Sequence, residues 1–228
     1  MLRQIIETLE RTYGAARPPV TRDPLELIFY ENCAYLVSDE QRLKAFEALR
    51  RQIGTGAGSI LCAPAGRLLE VAKLGGPFAN QRVEKLRRAD QLATGKFKGK
   101  PADILKLPLA QAKKALMRFP GIGEPGAEKI LLFTGTHPIP ALESNGLRVL
   151  TRLGFGEEKP NYAATYRSAQ QALAGQAGTD CKFLIRMHQA LRRHGQEVCR
   201  RKAPLCGSCA LADECRYFRA EADKRPRF

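Results

Sequence analysis

The stretch Leu116-Met117-Arg118-Phe119-Pro120-Gly121-Ile122-Gly123 decides the fold, because it ends one helix and prepares the start of the next. A helical pattern runs from Leu109 to Arg118, the Pro-Gly-Ile-Gly segment interrupts it, and a new helix follows Glu124. A tight glycine-rich connection between two helices presents backbone N–H groups that can hold a phosphate at a helix N-terminus. An ordinary helix–turn–helix connection looks the same, so this segment alone leaves both interpretations open.

Further helical patterns lie on both sides of this hairpin, punctuated by Gly and Pro and with almost no alternating β pattern. The sequence therefore predicts an all-α fold. Asp23 is the expected cap of the second helix, with Pro24 in its first turn, and Gly54 to Ser59 is an expected loop. The predicted helices are Leu2 to Tyr13, Pro24 to Val37, Gln41 to Ile53, Ala65 to Leu74, Ala79 to Leu92, Ala102 to Lys106, Leu109 to Arg118, Gly126 to Phe133, Ser144 to Leu153, Tyr162 to Ala174, Thr179 to Gln196 and Leu211 to Ala222.

Charge is the most informative feature of the composition. The 228 residues contain 38 Lys and Arg against 23 Asp and Glu, a formal charge of +15. The excess recurs along the whole chain and indicates a polyanionic partner, most commonly nucleic acid, although a merely soluble basic protein is the alternative. The chain has no apolar run of roughly 18 residues, and its N-terminus is an amphipathic helix pattern rather than a signal peptide. We therefore expect a soluble, cytoplasmic protein with no membrane partner.

The cysteines form the second landmark. Four of the seven are spaced C-x6-C-x2-C-x5-C, a compact pattern that indicates a shared ligand in an intracellular chain, with a set of unrelated thiols as the alternative. Four thiolates suit either zinc or an iron–sulfur cluster, and the presence of a single C-x2-C pair favours the cluster. The other three cysteines have apolar neighbours and are expected in the core. The predicted ligands are Cys199, Cys206, Cys209 and Cys215, and the predicted core thiols are Cys33, Cys62 and Cys181.

We call the segment from Cys199 to Cys215 the cysteine box. Together, the hairpin and the cysteine box resemble those of the helix-hairpin-helix base-excision DNA glycosylases that carry a [4Fe–4S] cluster, the endonuclease III group. The resemblance extends over LMRFPGIGEPGAEKILLFTG, LESNGLRVLTRLG, RMHQALRRHGQEVC and CRRKAPLCGSCALADEC. It implies a six-helix barrel over residues 22–137 that contains the hairpin, and a cluster domain formed by 1–21 with 138–228. It also implies double-stranded DNA as the partner, a [4Fe–4S] cluster on the four cysteines, a monomer, and association with the nucleoid.

Enzymes of this group flip a damaged base from the duplex and break its N-glycosidic bond. An ungapped alignment of the hairpin places the family's nucleophilic lysine at Pro125, which cannot form a Schiff base. Lys129 lies one helical turn further on, and we expect it to be an ordinary exposed lysine. The family's catalytic aspartate falls on Glu143, which keeps the negative charge but reaches further. A helix-capping role for Glu143 is the alternative.

Glu31 lies in the otherwise apolar pattern PLELIFYENCAYLV, so its carboxylate faces either the core or a cleft. Its position resembles that of the acid that protonates the leaving base in adenine-specific mismatch glycosylases, which also lack the lysine. Their segment after the catalytic acid is similar to Ser144 to Arg152. This resemblance implies a neutral Glu31 as general acid and an ionised Glu143 that supports the developing cation. A satisfied structural Glu31 is the alternative.

The same alignment predicts DNA contacts in both predicted domains. Leu36 is either a wedge that fills the gap left by the flipped nucleotide or a core residue, with the core slightly favoured. The basic loop after the first cluster cysteine is expected to approach phosphates, and the histidines His137, His188 and His194 are interpreted as structural. The predicted contacts are Gly121, Ile122, Gly123, Leu36, Asn145, Arg148, Arg200, Arg201 and Lys202.

Three hypotheses of function follow. The main one is an iron–sulfur DNA glycosylase that works by hydrolysis without a lysine nucleophile. The second is a DNA-binding protein that keeps the hairpin and the cluster but has lost catalysis, which Pro125 and Glu143 favour. The third is a bifunctional glycosylase and lyase that uses Lys129 or the N-terminal amine.

Overall fold

The computed structural model describes residues 1–223, with side chains to residue 220, and this part of the chain is helical without strands. The all-α prediction is confirmed. Short 3₁₀ segments occur at Pro101–Lys106 and Cys206–Ser208. The α-helices are α1 (Leu2–Tyr13), α2 (Pro24–Asn32), α3 (Asp39–Gln52), α4 (Ser59–Cys62), α5 (Ala65–Lys73), α6 (Ala79–Thr94), α7 (Leu109–Leu116), α8 (Glu124–Phe133), α9 (Ser144–Leu153), α10 (Tyr162–Leu173), α11 (Cys181–Glu197) and α12 (Arg216–Asp223).

The chain divides into two compact units. One unit is the continuous segment Pro19–His137, and the other combines Met1–Pro18 with the described residues from Pro138 onward. The domain boundaries expected from the sequence were residues 22 and 137. We call the continuous unit the hairpin unit and the other the cysteine unit. Residues 224–228, which the predicted cluster domain includes, lie outside the described part of the chain.

Helix α2 is the centre of the hairpin unit. It packs against α3, α6 and α8, and both Ile28 and Phe29 are fully buried. Its sequence is apolar nearly all round, which is the pattern of a helix surrounded by neighbours. The Asp23 carboxylate accepts the backbone N–H of Glu26 at 2.9 Å, so the predicted cap is confirmed.

Helices α9 and α11 form the centre of the cysteine unit, and α1, α10 and α12 pack around them. The two central helices approach closely because glycines face the contact. A Cβ on Gly195 would lie 2.7 Å from the carbonyl oxygen of Asn145, and one on Gly146 would lie 3.4 Å from Cβ of Leu191. This close approach fixes the start of α9, where Glu143 lies.

Three elements differ from the predictions by more than two residues. Helix α2 ends at Asn32 rather than Val37, because the next residues bond to another loop, with the Tyr35 N–H donating to Gly75 C=O at 2.9 Å. The short helix α4 begins at the last residue of the expected loop and covers a stretch for which no helix was predicted. Its N-terminal N–H groups are held by buried Asp90, whose carboxylate accepts from Gly58, Ile60 and Leu61 at 2.7 to 3.0 Å. Helix α12 begins at Arg216, after the last cysteine of the box, rather than at Leu211.

The cysteines outside the box are less uniform than expected. Cys33 is buried, as predicted, and burial raises the pKa of its thiol to about 12. Cys62 is exposed and Cys181 is partly exposed, so the prediction of core positions is wrong for Cys62 and only half right for Cys181. Both sit at the end of a helix, where an apolar sequence neighbourhood does not guarantee burial. Within the described residues, no helix is both long and apolar enough to cross a membrane.

Candidate active site and metal centre

The hairpin between α7 and α8 depends on Gly121. Its φ is +73°, a left-handed conformation that favours glycine, and an added Cβ would lie 2.8 Å from Oδ1 of buried Asn32. Asn32 is fixed in turn, because its Nδ2 donates to Ile28 C=O at 2.9 Å. The hairpin is thus seated on the end of α2.

The three predicted phosphate contacts of the hairpin differ in exposure. Gly121 and Gly123 are exposed, whereas the Ile122 side chain is 5% exposed and its N–H donates to Phe119 C=O at 3.2 Å. Ile122 therefore serves the core, and its assignment as a DNA contact is wrong for the side chain and for the N–H group. No side chain caps α8, whose cap residue is Gly123. A phosphate oxygen is a suitable acceptor for the first-turn N–H groups of such a helix.

Lys113 joins the two hairpin helices. Its ammonium lies 2.6 Å from the carboxylate of buried Glu128 and 2.5 Å from that of exposed Glu124. Burial alone lowers the pKa of Lys113, but the hydrogen bonds to both carboxylates outweigh it and raise that pKa. Glu124 lies in the first turn of α8, where its charge opposes an incoming phosphate. Lys113 partly neutralises this charge and was not identified from the sequence, because a lysine on a helix carries no local signal of its partners.

Glu31 lines a cavity of about 450 Å³ inside the hairpin unit, together with Tyr35, Phe78, Gln81 and Gly121. Of the two placements expected for its carboxylate, the cleft is confirmed. Glu31 is also paired, because Lys129 Nζ lies 2.6 Å from its carboxylate and both side chains are about four-fifths buried. The expectation of an exposed Lys129 is therefore wrong. The ammonium stabilises the negative charge of the carboxylate, which opposes the predicted neutral Glu31 in the resting protein.

Two adjacent loops place large apolar side chains at the surface around this cavity. Tyr35, Leu36 and Phe78 are 57%, 73% and 60% exposed, and the last two have φ values of +55° and +64°. The slightly favoured core position of Leu36 is wrong. Non-glycine residues in the left-handed region are held there by their surroundings. Here the buried Arg82 guanidinium donates to Pro77 C=O at 2.7 Å and anchors one of the loops. Phe78 was missed from sequence.

Glu143 is the cap residue of α9. Its Oε1 accepts the Gly146 N–H at 2.6 Å and its Oε2 accepts from Asn145 Nδ2 at 2.9 Å. The side chain is half-buried. Two N–H donors therefore orient the carboxylate as a fixed negative charge at the positive end of a helix. The alternative of a helix-capping Glu143 is therefore correct for the bonds it makes. Each carboxylate oxygen accepts one of these bonds and keeps another lone pair that a substrate can meet.

Arg148 lies directly behind this carboxylate. Its guanidinium donates to Asn145 Oδ1 at 2.8 Å, Gly195 C=O at 2.6 Å and Cys199 C=O at 2.9 Å. Burial lowers the pKa of the guanidinium from its ordinary value. Arg148 thus joins the loop of Glu143 to the first cysteine of the box by internal bonds, and a contact of Arg148 or Asn145 with DNA stays a prediction.

The four cysteines of the box line one cavity with apolar neighbours that include Val149, Leu153 and Leu211. Three are partly exposed and Cys215 is buried. Among the described residues, no three Cys, His, Asp or Glu side chains converge as the ligands of a single ion. Sulfurs spread around a cavity suit a group in which each thiolate binds a different iron.

N–H donors point at the sulfurs, which is a further sign that the cysteines fit a metal-bound thiolate set. Arg152 Nη1 lies 3.3 Å from Cys199 Sγ, and the Leu211 N–H lies 3.4 Å from Cys209 Sγ. Hydrogen bonds to sulfur are a usual feature of iron–sulfur sites. The residues present therefore fit the predicted [4Fe–4S] cluster, held by Cys199, Cys206, Cys209 and Cys215.

Arg152 also shapes the basic loop after Cys199. Its Nη1 donates to Arg200 C=O at 2.9 Å and its Nη2 to Arg201 C=O at 3.4 Å. The side chains of Arg200, Arg201 and Lys202 are exposed, as a role in binding phosphates requires. Arg152 was part of the matched segment, but its role was missed because it becomes visible only when the loop folds back onto α9.

The histidines have the structural partners expected of them. The His188 ring donates from Nδ1 to Ala141 C=O at 2.5 Å, which supports the loop before Glu143. His137 Nε2 lies 3.3 Å from Leu107 C=O. His194 Nδ1 lies 2.8 Å from the Tyr13 hydroxyl, and burial lowers the pKa of the imidazole to about 4.

No family model matches the chain. Endonuclease III of Sulfolobus acidocaldarius is 22% identical over 79% of this chain and 76% of its own length, and that of Thermotoga maritima is 22% identical over 96% and 92%. Adenine DNA glycosylase of Arabidopsis thaliana is 30% identical over 49% of this chain and 17% of its own.

Solved structures share the fold over nearly the whole chain. A non-covalent complex of endonuclease III with DNA has a TM-score of 0.74 at 19% identity and covers 98% of this chain and 99% of its own. A thermostable thymine-DNA glycosylase also has a TM-score of 0.74 at 19% identity, over 96% and 97%. The chain therefore shares the fold of these DNA glycosylases and is similar in sequence to enzymes named endonuclease III.

Proposed function

We propose that the chain is a DNA base-excision glycosylase that flips a damaged or mismatched base from the duplex and hydrolyses its N-glycosidic bond without a lysine nucleophile. The fold shared with DNA glycosylases, the charge of +15 and the similarity to proteins named endonuclease III support the general activity. The single observation that carries the chemistry is the Glu143 carboxylate, oriented by Gly146 and Asn145 in a chain that has Pro125 at the hairpin.

Glu143 supplies the charge that the reaction needs. Departure of the base leaves positive charge on the sugar, and a fixed carboxylate stabilises that charge most in the transition state. The cap to Gly146 and the bond from Asn145 hold the carboxylate before the substrate arrives, so little reorganisation is required. Capping and catalysis are therefore served by the same two bonds.

Glu31 and Lys129 together supply the proton for the leaving base. Since Lys129 Nζ lies 2.6 Å from the Glu31 carboxylate, the proposed source of the proton is Lys129, and Glu31 is the relay to the base. In this proposal Lys129 passes a proton to Glu31, Glu31 passes one to the base nitrogen as the C–N bond breaks, and Lys129 regains a proton from water. The base leaves neutral and the hydroxyl of a water is added to the sugar.

The same ion pair opposes the lyase alternative. An amine attacks the sugar only when it is neutral and free to approach it, and Lys129 Nζ is engaged by the Glu31 carboxylate at 2.6 Å. Borohydride trapping on abasic DNA tests this directly. We expect no covalent adduct, and an adduct that disappears in Lys129→Met would restore the bifunctional hypothesis.

DNA binding rests on exposed groups in each unit. The hairpin glycines Gly121 and Gly123 and the basic loop of Arg200, Arg201 and Lys202 are the proposed phosphate contacts. Leu36 is the proposed wedge, because it is the most exposed large apolar residue of the described chain and is held in a strained conformation.

The alternative is a protein that binds DNA but does not cleave the glycosidic bond, and the paired resting state of Glu31 favours it. A panel of lesions and mismatches distinguishes the two. The glycosylase proposal predicts base release by the wild type and its loss, with DNA affinity retained, in Glu143→Gln. Glu70→Gln is the matched control, since Glu70 is an exposed surface carboxylate. Tight binding without release of any base would establish the alternative.

A further inference from the structure

The last residue of α1 begins a series of two contacts that ends at a cysteine of the box. Tyr13, the last residue of α1, places its hydroxyl 2.8 Å from His194 Nδ1, and His194 Nε2 lies 3.5 Å from Cys209 Sγ. His194 is 2% exposed, so the middle of this series of contacts is shielded from water. The proposal below rests on the presence of the [4Fe–4S] cluster.

The direction of these hydrogen bonds follows from the chemistry of the cysteine. A thiolate that binds iron carries no proton, so the hydrogen between His194 and Cys209 must be on Nε2. The Tyr13 hydroxyl lies 2.8 Å from Nδ1 and can donate to it, which leaves the ring hydrogen on Nε2, on the side of the sulfur. Tyr13 thereby selects the tautomer of His194 that donates to the sulfur.

Tyr13 is itself held in place by neighbouring contacts. Arg193 Nη1 donates to Tyr13 C=O at 2.7 Å, and the Arg193 guanidinium lies 4.9 Å from the centre of the Tyr13 ring. Arg186 forms two hydrogen bonds to Glu10, at 2.7 and 2.5 Å, and ties α1 to α11 one to two turns away. The N-terminal helix is therefore fixed on the helix that carries His194.

We propose that Tyr13 and His194 are positioning residues that set the reduction potential of the cluster through Cys209. An N–H donor to a ligand sulfur withdraws electron density and disfavours loss of an electron from the cluster. The pair therefore protects the cluster from oxidation. In sequence the effect is invisible, because Tyr13 and Cys209 lie at opposite ends of the chain.

The test compares variants of the full-length, anaerobically purified protein. Tyr13→Phe removes only the hydroxyl, His194→Leu removes the donor to sulfur, and His194→Gln restores an N–H donor. Iron and sulfide content are measured first, and the one-electron oxidation of the cluster is then followed by voltammetry and by electron paramagnetic resonance after ferricyanide treatment. Tyr30→Phe and His137→Gln, which change residues of the hairpin unit, are the matched controls.

We expect His194→Leu to lower the potential and shift the oxidation equilibrium by roughly fivefold, the effect of one net hydrogen bond. Tyr13→Phe should shift it in the same direction by less, and His194→Gln should recover part of the wild-type value. A Tyr13→Phe protein that holds full iron and oxidises at the wild-type potential would overturn the proposal, whatever the behaviour of His194→Leu. A wild type without iron and sulfide would instead overturn the cluster itself.

Discussion

Replacing Gly195 with alanine tests whether the close approach of α9 and α11 positions Glu143. An added Cβ would lie 2.7 Å from the Asn145 carbonyl oxygen and 2.8 Å from Asn145 Cβ. Non-bonded carbons are comfortable at about 3.5 Å, so the start of α9 must move by roughly 0.7 Å. Asn145 donates to Glu143, so the carboxylate moves with it.

The expected magnitudes follow from that displacement. Overpacking a helix contact costs about 1–3 kcal/mol, and the gain in helix propensity from Gly to Ala offsets up to about 1 kcal/mol of it. Since a displacement of about 1 Å can cost on the order of a hundredfold in rate, we expect base release to fall by about ten- to a hundredfold.

Urea unfolding and single-turnover base release measure the two effects. Gly66→Ala is the matched control, because Gly66 is also a helical glycine and an added Cβ there meets no atom within 4 Å. That variant should be as active as the wild type and equally or slightly more stable. Gly195→Ala protein with the stability and the rate of the control would refute the reasoning.

Three further predictions concern separate features of the chain. Asp90→Ala leaves three N–H groups at the start of α4 without their acceptor and should lower the free energy of unfolding by about 2–4 kcal/mol in urea titrations. A loss below about 1 kcal/mol would contradict the capping role. Glu124→Gln removes a charge that opposes phosphate in the first turn of α8, and it frees Lys113 from one carboxylate. The affinity for duplex DNA, measured by fluorescence anisotropy, should therefore rise a few fold. An unchanged affinity would place DNA away from the hairpin. The hydrogen bond and charge of Arg186 lower the pKa of Glu10 below 4.5 in the folded state, so the contribution of Glu10 to stability is fully present above pH 4.5 and is lost as the pH falls through the lower folded value. Glu10→Gln should lower the free energy of unfolding by up to about 1 kcal/mol at pH 7 and make it less dependent on pH in acid. An unchanged pH dependence in acid would contradict this.

Local patterns were sufficient for most of the fold. The helix periods, the cap at Asp23 and the Pro-Gly break at the hairpin are determined by residues near one another in sequence, and the structure has them as expected. Helix α2 is shorter than its apolar pattern indicated, because Tyr35 bonds to Gly75 in another loop. A pattern of apolar residues does not show which of their backbone groups will bond to a distant loop instead of continuing the helix.

The candidate site was only partly predictable. Glu143, Glu31 and the four cysteines were identified from short motifs, but their partners come from distant positions. Lys129 reaches Glu31 only after α8 packs on α2, and this contact favours an ionised Glu31 over the expected neutral one. For Leu36 the core was slightly favoured over a wedge, whereas the side chain is 73% exposed and the preceding residue, Tyr35, bonds to Gly75 in another loop.

Release of a free base by wild-type and Glu143→Gln protein, measured over a panel of damaged and mismatched duplexes in the presence of borohydride, tests the central claim most directly. We predict that the wild type releases at least one base and leaves an abasic site without a trapped adduct. Glu143→Gln should bind the same duplex with similar affinity and release the base at least a hundredfold more slowly. Equal release by the two proteins, or no release by the iron-loaded wild type from any duplex, would contradict the account.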